Sequence, residues 1–153
     1  MRSLADVLTA ADGGPLTYEG RELYARYRVD LAQSDRLRIT FMRSKQTPVQ
    51  GLGLHCEHCQ LQVSGTTAKD LALWTDTAPK DVELTAIKVR SGAYVDIVNQ
   101  WRDEKHGTTM YRLNSAAMEV VRDEDEDGAT LRCSDGWGQP AFDDLVVYVR
   151  RFK

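Results

Sequence analysis

The sequence predicts an all-β fold, an antiparallel β-sandwich or jelly roll of about ten short strands. Three observations support this fold class. Apolar and polar residues alternate with a period of two over most of the chain, turn-forming residues recur about every 8 to 12 positions, and helical spacing of apolar residues is confined to the segment before Gly14. The 153 residues, 42% of them hydrophobic, are expected to form a single domain spanning residues 1–153.

The first predicted elements are a short helix and two strands. Residues 4–11 combine a capping-box pattern with apolar residues at helical spacing, which predicts one short N-terminal helix. Apolar residues occupy every second position from residue 23 to residue 31, and residues 37–41 repeat the pattern, so each run predicts a strand with one buried face. The segment 32–35 between the runs is short enough to predict a hairpin.

The middle of the chain continues the strand pattern. Apolar alternation at residues 52–56 resumes at residues 59–63 after two polar residues, which predicts a second hairpin. Four further strands are predicted at residues 71–74, 82–89, 94–101 and 108–113. Trp74 and Trp101 lie inside these patterns, so we expect both to pack in the core or on a sheet face.

The stretch from residue 118 to residue 149 predicts a hairpin, an irregular loop and a closing strand. Asp127-Gly128 lies between two apolar runs and tolerates the backbone geometry of a tight hairpin turn. Residues 135–140 are too rich in glycine and proline for a regular element, and residues 145–152 predict the last strand. Acidic residues and one tryptophan are therefore expected to lie close together.

The segment 123–128 matches the start of a calcium-binding loop, in which alternating carboxylates converge on a hard cation before a glycine. The carboxylates are those of Asp123, Asp125 and Asp127. An EF-hand is excluded because the twelfth loop position is Ser134 and the flanking segments predict strands. A calcium site in a β-hairpin would need Asp135, Asp143 or Asp144 to fold back and complete it. The alternative, which we favour, is an acidic hairpin tip exposed to solvent.

Cys56 and Cys59 form a C-x-x-C pattern whose spacing suits zinc or a redox dithiol. Zinc needs four ligands, and Cys133 with His55 or His58 would have to complete the set. All three cysteines fall in phase with the apolar residues of their strands, so we expect buried thiols rather than zinc ligands. An odd number of cysteines also excludes a complete disulfide framework, which indicates a reducing compartment such as the cytoplasm.

Candidate catalytic groups are scattered along the sequence and form no recognisable signature. Cys133, His106 and Asp135 could be combined as a nucleophile, a base and an orienting acid, but no element that would lower the pKa of the thiol lies next to Cys133. Asp96, Asp103 and His106 are a second possible set. We therefore predict a non-catalytic protein and keep a small enzyme as an alternative.

Trp137 is the most prominent candidate for a binding residue, because it lies between two glycines in the predicted loop. A loop tryptophan can also cover the end of a sandwich core, and both interpretations stay open. Together with Asp135, Asp143 and Asp144, it defines a candidate surface for a ligand or partner.

The composition excludes two classes of partner. The 20 basic and 23 acidic residues give a formal charge of −3, and no block of the chain concentrates lysine or arginine, so a nucleic-acid partner is not expected. The first residues lack the uninterrupted apolar run of a signal peptide, and no stretch is long and apolar enough for a membrane span. We therefore expect a soluble cytoplasmic protein that binds no membrane.

The segment Phe142-Asp143-Asp144-Leu145-Val146-Val147 resembles the D-F-N-D-L-V-V ending of several bacterial β-sandwich domains whose functions are largely undefined. In this chain, Ala141 takes the place of the leading acid and Asp143 that of the asparagine. The resemblance is confined to the end of the chain. It implies a sandwich fold and a role for the acids in fixing the last strand, which could include a bound cation.

These observations together predict an interaction module or assembly subunit rather than an enzyme. Its expected partner is another protein or a second copy of the chain. The alternatives are a calcium-binding recognition domain that uses the acidic hairpin, and a small enzyme whose site the sequence does not reveal.

Overall fold

The computed structural model describes residues 16–18, 20–103, 108–110, 117–135 and 141–153. Every regular element within these ranges is a β-strand, which confirms the predicted all-β class. The helix predicted at residues 4–11 lies outside the described residues. The strands are β1 (Leu16–Tyr18), β2 (Arg21–Tyr24), β3 (Tyr27–Asp30), β4 (Arg36–Ser44), β5 (Gln50–Glu57), β6 (Gln60–Val63), β7 (Thr66–Ala68), β8 (Asp70–Trp74), β9 (Asp81–Ile87), β10 (Tyr94–Asp103), β11 (Thr108–Met110), β12 (Ala117–Arg122), β13 (Gly128–Ser134) and β14 (Leu145–Phe152).

The described strands form two antiparallel sheets, an arrangement consistent with the predicted sandwich. The larger sheet has the order β1-β2-β12-β13-β14-β4-β9-β6-β7. The smaller sheet has the order β11-β10-β5-β8, and β3 shares with β11 the edge of β10 that faces away from β5. In the part of the chain that the structure describes, no helix is long and apolar enough to cross a membrane.

Successive strands alternate between the sheets along most of the chain. From β2 to β10, every connection passes from one sheet to the other, except the connection from β6 to β7. The side chains that point inward from both sheets form one hydrophobic core between them. The alternation explains why the inward-facing residues were predicted better than the pairing of the strands.

The run predicted as one strand at residues 23–31 is divided between the sheets. β2 pairs with β12 in the larger sheet, and β3 pairs with β10 in the smaller one. The period of two continues across the break, because both sheets turn the same side of the chain towards the core between them. The inward residues, each at most 9% exposed, are Leu23, Ala25, Tyr27, Val29 and Leu31.

The hairpin predicted at residues 32–35 is wrong, because β3 and β4 lie in different sheets. Asp35 closes a turn there instead: its carboxylate accepts the Ala32 N–H at 2.9 Å, and its own N–H donates to the Ala32 carbonyl at 3.0 Å. The Asp35 carbonyl accepts the N–H of Ala86 at 2.8 Å, which ties the turn to β9. The spacing of two strands does not distinguish such a corner from a hairpin.

The second predicted hairpin, between residues 52–56 and 59–63, is also wrong. β5 belongs to the smaller sheet and β6 to the larger one. His58 takes a left-handed backbone conformation, with φ of 60°, where the chain turns from one sheet to the other. The burial predicted for the cysteines is confirmed, since Cys56, Cys59 and Cys133 are each at most 3% exposed.

The hairpin predicted around Asp127-Gly128 is confirmed, as β12 pairs with β13 along its whole length. The left-handed residue of its turn is Glu126, with φ of 61°, and not Gly128. Gly128 is needed for another reason, because a Cβ at this position would lie 2.5 Å from the Tyr148 hydroxyl and 3.0 Å from Arg150 Nη1. β14 completes the segment by pairing with β13 and β4, as expected of the closing strand.

Candidate functional site

The outer face of the smaller sheet, which we call the sheet face, presents polar and apolar side chains side by side. Because side chains alternate along a strand, burial of Leu52 and Leu54 places Gly53 on the outside. The register continues this face onto the neighbouring strands, where Gly53 lies opposite Ala72 of β8 and Val98 of β10. The outward residues are Arg28 on β3, Gly51, Gly53, His55 and Glu57 on β5, Asp70, Ala72 and Trp74 on β8, and Tyr94, Asp96, Val98 and Gln100 on β10.

A cavity of about 450 Å³, the sheet-face cavity, lies on this surface. Its lining includes Gly53, His55, Asp70, Ala72, Asp96, Val98 and Gln100. The volume falls in the range of sites for small ligands, about 300 to 1,000 Å³. The lining combines small and apolar positions with two carboxylates, an imidazole and an amide, a mixture suited to holding a ligand in one orientation.

Gln100 brings to this cavity a polar group without a partner. The residue is 7% exposed, and among the described residues its side-chain amide makes no hydrogen bond. Gly53 makes room for it, because a Cβ at Gly53 would lie 2.8 Å from Gln100 Oε1. Sequence patterns do not identify Gln100. The available signal was the pair Gly51 and Gly53 inside one strand, since interior glycines mark places of close approach.

His55 forms part of the cavity rim, between two carboxylates. Its Nδ1 lies 2.6 Å from Asp70 Oδ1, and its Nε2 lies 2.9 Å from Glu57 Oε1. The bond to Asp70 foremost, and then the bond to Glu57, raise the pKa of His55, because both favour the charged imidazolium. The contact with His55 also lowers the pKa of Glu57. The imidazole is thereby held between two carboxylates at the edge of the cavity.

Asp96 is neutralised by an arginine. Arg28 Nε donates to Asp96 Oδ1 at 2.8 Å, and Arg28 Nη2 donates to Asp96 Oδ2 at 3.0 Å. The guanidinium also lies 3.8 Å from the centroid of the Tyr94 ring. Asp96 was predicted as a possible catalytic residue together with Asp103 and His106, but the Asp103 side chain and His106 lie outside the described residues. The contacts of Asp96 are those of a structural ion pair.

Trp74 covers one end of the sheet face. A Cβ at Gly51 would lie 2.6 Å from Trp74 Cε3, so the ring packs against the backbone of β5. The Arg102 guanidinium lies 4.5 Å from the ring centroid, and Arg102 Nη1 donates to Asp76 Oδ2 at 2.7 Å. Both tryptophan predictions are confirmed, because Trp74 packs on a sheet face and Trp101, at 1% exposure, lies in the core.

A second polar cluster, the buried acid pair, consists of Asp135 and Asp144 in contact with one lysine. Lys45 Nζ lies 2.6 Å from Asp135 Oδ2 and 3.5 Å from Asp144 Oδ1. Gln50 Nε2 donates to Asp135 Oδ2 at 3.0 Å, and the Asp135 N–H donates to Asp144 Oδ2 at 3.0 Å. Burial raises the pKa of Asp144. Burial alone would lower the pKa of Lys45, but its contact with Asp135 makes the net shift upward.

The structure thus brings together two of the residues predicted for ligand or partner binding, Asp135 and Asp144. Asp144 accepts a backbone N–H from the preceding loop, which is the structural role predicted for this acid. The neighbouring Asp143 side chain is 44% exposed, and its Oδ2 lies 3.5 Å from Arg43 Nη2. Trp137, the fourth predicted residue, lies outside the described residues.

The aspartates predicted as calcium ligands contact arginines of β14. Arg150 forms ion pairs with Asp123, at 3.3 Å, and with Asp125. Arg151 Nη2 lies 2.9 Å from Asp127 Oδ1. Two positive charges therefore stand against five acidic residues at the hairpin tip, because Glu124 and Glu126 lie there as well.

The hairpin tip and the buried acid pair lie at opposite ends of β13. The tip precedes its first residue, whereas Asp135 follows its last, so the two groups of acids do not converge on one ion. Within the described ranges, no group of three or more histidine, cysteine or acidic side chains is placed to hold a metal ion. Calcium binding by Asp123, Asp125 and Asp127 remains a prediction.

The thiols lie in surroundings that keep them neutral. Burial raises the pKa of Cys56 to about 12 and also raises the pKa of Cys133. Cys59 Sγ donates to the Tyr94 carbonyl at 3.6 Å. Because the thiolate is the form that attacks electrophiles and binds zinc, these surroundings favour a structural role over zinc or redox chemistry.

The sheet-face cavity offers hydrogen-bonding groups and an apolar surface. Its imidazole and Asp96 are engaged in ion pairs, and an amide such as that of Gln100 does not act as an acid or base at neutral pH. The buried acid pair is likewise engaged by Lys45. No family model, curated protein or solved structure matches the chain, so the assignment of a role depends on its own geometry.

Proposed function

We propose that this protein is a non-catalytic β-sandwich interaction module that binds its ligand in the sheet-face cavity. The observation that carries the proposal is the Gln100 amide, which lines the cavity and makes no hydrogen bond to the described residues, although the residue as a whole is only 7% exposed. A side-chain amide that faces a cavity without a partner in the protein can both donate to and accept from a ligand. A ligand that hydrogen-bonds to this amide would supply the missing partner.

The surroundings of Gln100 support binding rather than chemistry. His55 and Asp70 hold each other in position, and so do Arg28 and Asp96. A rim that is already ordered lowers the entropic cost of binding a ligand.

The proposal keeps the predicted interaction module but moves its binding surface from the loop at residues 135–140 to the sheet face. At the loop, Asp135 and Asp144 belong to a network that holds strands together, whereas the sheet face offers an unpaired polar group. If the partner is a protein or a second copy of the chain, it has to reach the cavity with a side chain or an attached group.

The test is a fragment screen followed through the amide NMR signals of isotope-labelled protein. A mixture of sugars, amino acids, short peptides and nucleosides is expected to contain compounds that shift the signals of Gly53, Ala72 and Val98. These shifts should disappear in Gln100→Ala and persist in Gln62→Ala, a matched substitution on β6 of the larger sheet. Fragments that bind only elsewhere, or that bind Gln100→Ala equally well, would contradict the proposal.

A further inference from the structure

We infer that the ligand of the sheet-face cavity is a neutral molecule rich in hydroxyl groups, such as a sugar residue of a glycan. This inference rests on the proposed function and specifies the ligand of the same site. It is argued from three properties of the cavity: its charge balance, its available hydrogen-bonding groups and its apolar strip.

The charged side chains that line the cavity are paired. Asp96 lies 2.8 Å from Arg28 and 3.9 Å from Arg26, and Asp70 lies 2.6 Å from His55, which also contacts Glu57 at 2.9 Å. A charged ligand would have to break one of these pairs or be held without a counterion. Because removing an unpaired charge from water is costly, the cavity favours a neutral ligand.

The groups left for hydrogen bonding are the Gln100 amide and one oxygen of Asp70. His55 contacts Asp70 Oδ1, whereas Asp70 Oδ2 has no partner among the described residues. A carboxylate oxygen only accepts a hydrogen bond, but a side-chain amide accepts through its oxygen and donates through its nitrogen. The ligand must therefore donate to Asp70 and both donate to and accept from Gln100. A hydroxyl group donates and accepts through one atom, whereas a carbonyl group only accepts, an ammonium group only donates, and a peptide group divides the two roles between its N–H and its C=O.

Between these polar groups, the cavity presents a strip of small and apolar residues. Ala72, Gly53 and Val98 lie side by side on three adjacent strands. A sugar ring carries C–H groups on its faces and hydroxyl groups at its edge. The ring can pack on this strip by the hydrophobic effect while its hydroxyl groups reach Gln100 and Asp70.

Titration of isotope-labelled protein with individual compounds tests the inference. The neutral probes are glucose, galactose, mannose and N-acetylglucosamine, and the comparison probes are glucosamine as a cation, glucuronate as an anion and tri-alanine as a peptide. We expect at least one neutral sugar to shift the amide signals of Gly53 and Val98, and to bind more tightly than every comparison probe.

Two substitutions connect sugar binding to the groups that the inference names. Gln100→Ala and Asp70→Asn are each expected to weaken binding about tenfold, because each removes or alters one hydrogen-bonding group. Gln62→Ala on the larger sheet should leave the affinity unchanged. Gln100→Met keeps the volume of the side chain. This variant is measured in place of Gln100→Ala if alanine at this position prevents folding.

The outcomes separate this inference from the proposed function. If tri-alanine or a charged probe binds the sheet face and neutral sugars do not, the ligand class is wrong and the proposed function stands. If no compound in the broader fragment screen binds the sheet face, both fail. Sugar binding that survives unchanged in Gln100→Ala and Gln100→Met would also overturn the inference.

Discussion

Gln50 and Gln100 are both buried glutamines, and their surroundings give them opposite roles. Gln50 is fully buried, and its Nε2 donates to Asp135 Oδ2 and to the Pro48 carbonyl, each at 3.0 Å. Gln100 is 7% exposed, and its amide lines the sheet-face cavity without a hydrogen bond to the described part of the chain. The Gln50 nitrogen stabilises the fold, although Gln50 Oε1 is buried without a partner among the described residues. The Gln100 amide is instead available to a ligand.

Replacing each glutamine by methionine, which is similar in size but apolar, tests this difference. Gln50→Met is expected to lower the free energy of unfolding by about 1–3 kcal/mol, because the buried Asp135 carboxylate and the part-buried Pro48 carbonyl lose a donor. Gln100→Met is expected to leave it unchanged within about 0.5 kcal/mol or to raise it, since no hydrogen bond is lost. Urea unfolding of the parent and both variants supplies the measurement, and equal losses would contradict a ligand-binding role for Gln100.

His55 makes the stability of the sheet face depend on pH. The pKa of His55 is raised above the ordinary 6.5. Its contribution to the free energy of unfolding is therefore fully present below pH 6.5 and is lost as the pH rises through the folded-state pKa. The pKa of Glu57 is lowered below the ordinary 4.5, so its contribution is present above that value and is lost as the pH falls through the folded-state pKa. The stabilising contributions of His55 and Glu57 are both complete only between pH 4.5 and pH 6.5.

An NMR titration of the His55 ring measures this effect directly. Asp70→Asn should lower the pKa of His55 more than Glu57→Gln does, because the bond to Asp70 is the larger cause of the shift. Asp81→Asn, on a strand of the larger sheet, should leave the pKa unchanged. A His55 pKa at or below 6.5 in the parent protein would show that the two carboxylates do not hold the imidazolium as described.

At the scale of elements, β14 is fixed by charge at both of its ends. The residue before its start, Asp144, shares Lys45 with Asp135, and near its end Arg150 and Arg151 pair with the aspartates of the preceding hairpin. The Asp135 side chain is 0% exposed and its Oδ2 lies 2.6 Å from Lys45 Nζ, so loss of Lys45 would remove this cation from a buried anion. Lys45, a side chain of the chain itself, therefore places a positive charge beside Asp135 and Asp144.

Lys45→Met is expected to lower the free energy of unfolding by about 3 kcal/mol, the usual scale for removing one partner of a buried ion pair. Arg43→Met is the matched control, because Arg43 and Asp143 are 3.5 Å apart and 70% and 44% exposed. Its loss should stay within about 0.5 kcal/mol. Chemical unfolding at neutral pH compares the two variants, and a loss for Lys45→Met as small as that of the control would refute this role.

Strand positions could be predicted from the sequence because burial with a period of two is a local property. Leu37 and Ile39 are fully buried, as the alternation predicted. Pairing is not local, and the turn at 32–35 and the corner at His58 both have the length of a hairpin while joining different sheets. Whether two successive strands pair depends on which distant strands already occupy their edges.

The candidate site was harder to predict because its residues meet through the register of distant strands. Gln100 and Gly53 belong to β10 and β5 and produce no motif in the sequence. Asp135 and Asp144 could be predicted because they flank one loop. Lys45, which pairs with both, comes from the segment after β4 and lies far from them in sequence.

At the scale of the whole molecule, calcium is expected to leave the melting temperature unchanged. The acidic hairpin tip already contacts two arginines, Arg150 and Arg151, which compete with a cation for its carboxylates. A calcium site at a hundred times its Kd would instead add about 2.7 kcal/mol and raise the melting temperature by several degrees. Thermal melts in millimolar calcium and in EDTA make the comparison. A rise that Asp125→Asn abolishes would establish the calcium site predicted from the sequence.

The chain passes from one sheet to the other at nearly every connection from β2 to β10. We therefore expect that neither sheet opens alone. The amide hydrogens of β4 and β5, one strand in each sheet, are therefore expected to exchange with solvent through one global opening and to report the same free energy. Native-state hydrogen exchange measures this, and earlier loss of protection in β5 would show that the smaller sheet opens separately. If the sheets open together, a ligand on the sheet face will also slow exchange in the larger sheet, although it contacts none of that sheet.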